Sequence, residues 1–362
     1  MRYRLGGGKL FVIGPRRHGK TSILNVAALA AERQRVVVLS FDAEAFTSTE
    51  QMATAILAEA TRRLEPAIKR AQEAVSRFFG RLRPTVTFNP ADQSISASLA
   101  VDAAEAGGAL PLLITVLDGI EKWAAHAKRP VAVIIDEVQE LLEKEGEPAE
   151  RQFRAAVQKH EHVAYVFAGS KTHYLARVTS DPGAPFFNLG SRLHVGAVPD
   201  SDFRKFLETA FADGGFRMDA SAIDAILSIA QRVPWNVQVL ADACWAALTQ
   251  GSVTRPWTDA EVSRTADDMV RRLDPIYSPQ WLNLSGPQRT ALLSVVHEGS
   301  GGLSSQPRLR RYGMSASGMQ RAIGGLLEKG VLFEEMAEGR ATIRLQDAFF
   351  GVWVRLFIVP VV

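Results

Sequence analysis

The sequence predicts an α/β protein: a mainly parallel β-sheet with helices on both faces, then an all-helical segment, then a C-terminal winged helix-turn-helix. Three observations lead there. Short apolar runs alternate with helical tracts up to about residue 199, the pattern of strands joined by crossover helices. From Asp200 the runs become successive amphipathic helices. The last segment reads helix, short helix, helix, then two strands.

The elements follow in order. "LFVI" (Leu10 to Ile13) is a buried strand. "GPRRHGKTS" (Gly14 to Ser22) is a glycine-rich basic loop, and Ser22 to Glu32 is a helix rich in Ala and Leu. "RVVVLSFDA" (Arg35 to Ala43) is a second strand, and a long helical tract runs from about Thr49 to Phe79. "PTVTFNPADQSISASLAV" (Pro84 to Val101) alternates around Asn89-Pro90 as a β-hairpin does. A helix spans Leu110 to Ala127, and "RPVAVIIDEVQELL" is a strand ending in two carboxylates. A helix over Glu150 to His160 precedes the strand "VAYVFAGS", and "NLGSRLHV" opens another strand. "SDFRKFLETAF", "SAIDAILSIAQ", "PWNVQVLADACWAALTQ" and "TDAEVSRTADDMVRRL" form a helical lid. "DPIYSPQWLNLSGPQ" (Asp274 to Gln288), rich in Pro and Ser, reads as a linker to the winged helix, whose strands are "GVLFEEM" and "RATIRLQ". The division is 1–199, an α/β core; 200–274, the lid; and 275–362, the winged helix.

Composition bounds the function. Of 362 residues, 47% are hydrophobic and 22% charged, the balance of a soluble globular chain with a sizeable core. A net charge of +3 excludes a polybasic nucleic-acid coat, so any basic surface is local. Cys244 is the only cysteine, which excludes intramolecular disulfides and Cys-cluster metal sites and fits a reducing cytoplasm. No signal peptide is visible. The apolar tail "WVRLFIVPVV" is too short to span a bilayer, so no membrane association is expected.

The basic loop carries the chemistry. Gly14 and Gly19-Lys20-Thr21 fit G-x-x-x-x-G-K-[ST], the phosphate-binding loop, between a strand and a helix as that motif requires. Gly14, Pro15, Arg16, Arg17, His18, Gly19, Lys20, Thr21 and Ser22 are therefore the candidate nucleotide contacts. Glycines let backbone N–H groups face phosphate oxygens, Lys20 brings charge to the β- and γ-phosphates, and the Thr21 hydroxyl can ligate Mg²⁺. Asp136, ending a buried strand, is the second candidate Mg²⁺ ligand, and Glu137 beside it can orient or deprotonate an attacking water. A strand-end Asp capping a helix is the alternative for the pair; the phosphate loop favours the metal reading. Ser170, ending the next strand, can sense the γ-phosphate. Arg192 either reaches phosphate, in its own chain or in a neighbouring copy of a homo-oligomer, or is a surface arginine. The candidate catalytic set is Lys20, Glu137, Ser170 and Arg192. The fold class is accordingly a P-loop NTPase, and the expected cofactors are ATP and Mg²⁺.

With these segments in place, the chain resembles the archaeal-type ATPases, a family of the signal-transducing (STAND) group of AAA+ P-loop ATPases. "GPRRHGKTSIL", "AVIIDEVQELL" and "VFAGSKTHYL" resemble its Walker A, Walker B and sensor-1 segments in the expected order. "FFNLGSRLHVGAVPDSDFRKFLETAF", "QRVPWNVQVLADACW" and "LQDAFFGVWVRLF" resemble the passage into the lid, the start of a lid helix and the end of the winged helix. The chain departs from the family in two places: only "MRYRLGGG" precedes the first strand, and Arg232-Val233 stands before Pro234 where a glycine is usual. The resemblance implies ATP binding and hydrolysis to ADP and phosphate.

In "MSASGMQRAIGGLLEKG", Met319, Ile323, Leu326 and Leu327 share one helical face, which leaves Ser317, Gln320 and Arg321 for solvent. With Arg308, Arg310 and Arg311 of "RLRRY", they are the candidate contacts to duplex DNA. Glu334, Glu335 and Glu338 make the wing acidic, which suits packing or a protein effector instead. Two functions stand: a Mg²⁺-dependent ATPase that switches the lid and winged helix, or a nucleotide-gated interaction module with negligible turnover. A GTPase is weaker, because the N/T-K-x-D sequence of Ras-like proteins is absent.

Overall fold

Apolar strands that run in parallel build the first half of the molecule. The computed structural model describes residues 7–64, 73, 76–79, 82, 85–89, 94–98, 106–250, 255–337 and 340–358. They form two compact units, the described residues of 1–15 with those of 19–195, and 16–18 with the described residues of 196–362.

The first unit holds a five-stranded sheet of β1 (Lys9–Ile13), β2 (Val37–Asp42), β5 (Val131–Asp136), β6 (Val163–Gly169) and β7 (Ser191–His194), in the order β2-β5-β6-β1-β7. Every pairing is parallel. Phe11, Ile13, Val37, Leu39, Val131, Val133, Ile135, Tyr165 and Phe167 point to one face. There they meet α2 (Thr49–Leu64), α3 (Ala109–Ala127), α4 (Gln139–Glu145), α5 (Glu147–Gln158) and α6 (Thr172–Ser180). Val12, Val38, Ala132, Ile134 and Ala168 point to the other face, against Leu24 of α1 (Lys20–Arg33). Both faces are covered, which is why the strands read as unbroken apolar runs rather than alternating ones. α2 is described as far as Leu64; the rest of the helical tract expected up to Phe79 lies largely outside the described residues. β3 (Thr85–Asn89) and β4 (Ser94–Ser98) pair antiparallel, as the alternation predicts.

The second unit has α7 (Asp200–Asp213), α8 (Ala220–Ile229), α9 (Pro234–Gln250), α10 (Asp259–Arg272), α11 (Asp274–Leu282), α12 (Gly286–Glu298), α13 (Gln306–Arg311), α14 (Ala316–Glu328), the antiparallel pair β8 (Leu332–Ala337) and β9 (Arg340–Leu345), and α15 (Ala348–Phe357). Helices α12 to α14 followed by the β8–β9 hairpin are in winged-helix order. One core runs from Phe203 in α7 to Val354 in α15.

The expected linker is a correction. Asp274–Leu282 is a helix. Pro275 sits in its first turn, where no N–H is needed. Tyr277 and Trp281, one turn apart and buried, lie near Trp353 at 6.3 and 6.4 Å between ring centroids. The Trp353 indole N–H donates to Asp274 Oδ1 at 2.8 Å. Burial of these aromatic rings outweighs the poor helix propensity of Pro279 inside the helix.

A candidate nucleotide-binding site

The same pleat that fills the core assembles the site. Residues 132 and 134 of β5 face α1, so Asp136, two further on, reaches the carboxyl end of its strand on that face. α1 begins at Lys20, directly after the loop that follows β1, so its first turn lies opposite. The Thr21 hydroxyl donates to Asp136 Oδ2 at 2.6 Å, joining residues far apart in the chain. Asp136 is buried, and its Oδ1 accepts from the Glu137 N–H at 2.9 Å.

Gly19 caps α1 in the left-handed region, with φ of 80°, and a Cβ built there meets nothing within 4 Å. The N–H groups of a helix's first turn have no partner inside the helix. Open space in front of such a turn is what a phosphate needs. Lys20 is only 5% exposed. Its ammonium donates to Pro15 O at 3.1 Å and lies 3.9 Å from Glu137 Oε1.

Glu137 has φ of 48°, unusual for a side chain with a Cβ. The chain offsets that strain by binding itself back to β6: Val138 N–H donates to Ala168 O at 2.9 Å. The Glu137 carboxylate is then held through Oε2, which accepts from Ser170 Oγ at 2.7 Å, from Ser170 N–H at 3.0 Å and from the Gln139 side-chain amide. Burial alone would push this carboxyl up. The donors on Gln139 and Ser170, with the Lys20 charge, outweigh it and hold Glu137 below the usual carboxylate range.

Lys20, Thr21, Asp136, Glu137 and Ser170 are thus brought together. Arg192 is not among them: its guanidinium donates to Thr179 O at 3.0 Å and Ser180 Oγ at 2.7 Å, at the end of α6. Of the remaining loop residues, Arg16–His18 cluster with the second unit. Arg17 lies 4.2 Å over the Trp235 ring and pairs with Asp347 at 3.2 Å, and His18 Nδ1 lies 2.9 Å from Arg16 O. Ser22 is exposed on α1.

Two residues of the site escape a reading of motifs. Asp42 ends β2 in register with Asp136. Burial and the nearby charges of Asp136 and Glu137 push its carboxyl up, against the Glu44 N–H that it accepts. Its signal is its place at the end of "VVVLSFD", matching that of Asp136. Gln139 is the other; a polar residue two positions after the carboxylate pair is its only trace in the sequence.

The winged-helix candidates divide. Arg310, Arg311, Ser317, Gln320 and Arg321 are exposed. Arg308 is not: it is 4% exposed and donates to Ser294 Oγ, Ser294 O, Gly299 O and Gly301 O. Its guanidinium closes the end of α12 and the loop after it, with four of its five N–H groups committed there. Of the acidic wing residues, Glu334 is half-buried and Glu338 lies outside the described residues.

The fold is that of a P-loop NTPase followed along the chain by a helical segment and a winged helix. In structure the chain is similar to the Walker-type ATPase PABY2304 of Pyrococcus abyssi, with a TM-score of 0.57, 15% identity, and coverage of 96% of this chain and 91% of that one. Lower similarities join it to the ORC1 protein of Aeropyrum pernix in complex with DNA (TM-score 0.46, 15% identity, 96% and 86% covered) and to the RuvB Holliday junction branch migration motor of Thermotoga maritima (0.42, 13%, 93% and 84%). No protein-family model and no curated protein sequence matches the chain. Among the described residues, no helix is long and apolar enough to cross a membrane.

Proposed function

We propose that the protein is a Mg²⁺-dependent ATPase of the archaeal-type AAA+ kind, a nucleotide-driven switch whose winged helix binds duplex DNA. One observation carries the enzymatic part: the hydroxyl of Thr21 and the carboxylate of Asp136 meet at 2.6 Å beside a buried lysine and a second carboxylate. The donor set fits the expected cofactors. Two hard oxygen ligands suit a small divalent cation, and a buried ammonium next to a helix N-terminus suits phosphate. When bound, Mg²⁺ would supply positive charge that offsets the phosphates. Thr21 and Asp136 are the residues that would hold that ion. Lys20 draws the phosphates in, exchanging its hydrogen bond to Pro15 O for theirs. Glu137 presents Oε1 on the loop side and acts on the attacking water, while Ser170 fixes the other oxygen. Arg192, tied to Thr179 and Ser180 in its own chain, would stabilise charge on the γ-phosphate of a neighbouring copy, in which case Arg192→Ala should lower turnover more than ATP binding.

Steady-state phosphate release tests it. The expected result is release from ATP that a chelator abolishes and that GTP does not match. ATP binding without release would leave the nucleotide-gated module with negligible turnover.

The DNA part rests on the exposed basic and polar side chains of α13 and α14. Replacing Arg310, Arg311 and Arg321 together with alanine in the full chain should weaken binding to duplex DNA. The plot of log affinity against log salt should flatten by about 0.9 for each phosphate that an arginine no longer neutralises. A wild-type chain that fails to bind DNA at low salt would assign this face to a protein partner.

A further inference from the structure

Gln139 makes a hydrogen bond that its burial alone does not call for. It lies in the first turn of α4 and is wholly buried. Its amide N–H₂ donates to Glu137 Oε2, while its Oε1 is buried with no hydrogen-bond partner among the described residues. A glutamine kept for stability would have both ends of its amide satisfied. Here the acceptor end is given up and the donor end is committed to the carboxylate. The neighbouring backbone makes room for it: a Cβ at Gly169, the last residue of β6, would overlap Gln139 Oε1. Only glycine at that strand end admits the amide.

We propose that Gln139 is a positioning residue for Glu137: with Ser170 it anchors Oε2 against the end of β6, so that Oε1 stays turned toward Lys20 and the phosphate loop. Three donors converge on one oxygen of the carboxylate. The other oxygen lies 3.9 Å from the Lys20 ammonium. A glutamate side chain has free rotation about its bonds, and a single donor fixes only one atom. Donors arriving from α4 and from the end of β6 hold Oε2 from two directions, while the Lys20 ammonium lies on the side of Oε1. Because the amide binds the carboxylate oxygen that is turned away from Lys20, it acts through Glu137 and not on nucleotide. The inference rests on the reading that Glu137 acts on the attacking water.

Gln139→Met tests it, since methionine fills nearly the same volume without an amide. The expected result is a fall in kcat of about tenfold with KM for MgATP changed by less than about twofold, the signature of a group used in the transition state rather than in binding. In a Glu137→Gln background the same substitution should cost nothing further, because its route of action is already gone. A purely structural role would lower activity equally in both backgrounds. The crystal structure of Gln139→Met provides a readout independent of turnover: the Glu137 carboxylate should leave Ser170, with the Oε2 to Ser170 N distance beyond about 3.5 Å. Should Gln139→Met fail to fold, Gln139→Leu takes its place. An unmoved carboxylate overturns the proposal, as does an unchanged kcat in a protein whose wild type turns over ATP. A wild type that releases no phosphate overturns the hydrolysis reading instead, and the structure of the variant still decides the role of Gln139.

Discussion

Replacing Lys20 with alanine should weaken ATP binding at least about a hundredfold, equivalent to about 2.7 kcal/mol, while the protein stays folded. Lys20 is the buried cation of the site, placed between Pro15 O and Glu137. Alanine keeps the helix start intact, since α1 is capped by Gly19 and its first turn does not depend on the lysine side chain. What is removed is the charge that offsets the phosphates beside Asp42, Asp136 and Glu137. With those carboxylates unopposed, a polyphosphate would meet net negative charge in a partly desolvated site. Calorimetry or fluorescent-nucleotide titration of the variant gives the number. Unchanged affinity in a folded variant would remove the phosphate loop from nucleotide binding.

Glu137→Gln should separate binding from chemistry. The amide has the shape of the carboxylate and can still accept from Ser170, so ATP affinity should stay within a few-fold of wild type. It cannot take up a proton, so the rate of phosphate release should fall by about 10² or more, the scale of losing a general base. The two variants together distinguish the cation that recruits nucleotide from the carboxylate that acts on water. A Glu137→Gln protein with wild-type turnover would place the catalytic group elsewhere.

Where the site's chemistry is local in sequence, it is legible. The candidate phosphate loop is a run of consecutive residues between a strand and a helix, and Gly14, Gly19, Lys20 and Thr21 are the types that the pattern specifies. Asp136 is legible for a similar reason: a polar residue closing an apolar strand must lie at the sheet's carboxyl edge, where ligands bind in such folds. The hairpin of β3–β4 follows from alternation, the strands β8 and β9 from the order of elements around them, and helices α7 to α10 from their amphipathic period.

Other features depended on partners distant in the chain. "DPIYSPQWL" has the composition of a linker, and nothing in it reveals that Tyr277 and Trp281 will find Phe350 and Trp353 about seventy residues later. Arg308, Arg310 and Arg311 are equal in sequence. Packing of α13 buries the first and leaves the others outside, because one side of a short helix must face the core. Arg192 is an arginine at the start of a strand by sequence; in the fold it is a clamp on the end of α6. By itself, then, the sequence determined the α/β fold class and marked the loop after β1 and the carboxylates at the end of β5 as the candidate site, since strand patterning and the loop motif are written over a few residues. Only the tertiary structure decided which arginines are exposed, that residues 274–282 are helical, and that Gln139 grips Glu137. Burial and hydrogen-bond partnership are properties of three-dimensional neighbours, and a residue's type does not record who those neighbours will be.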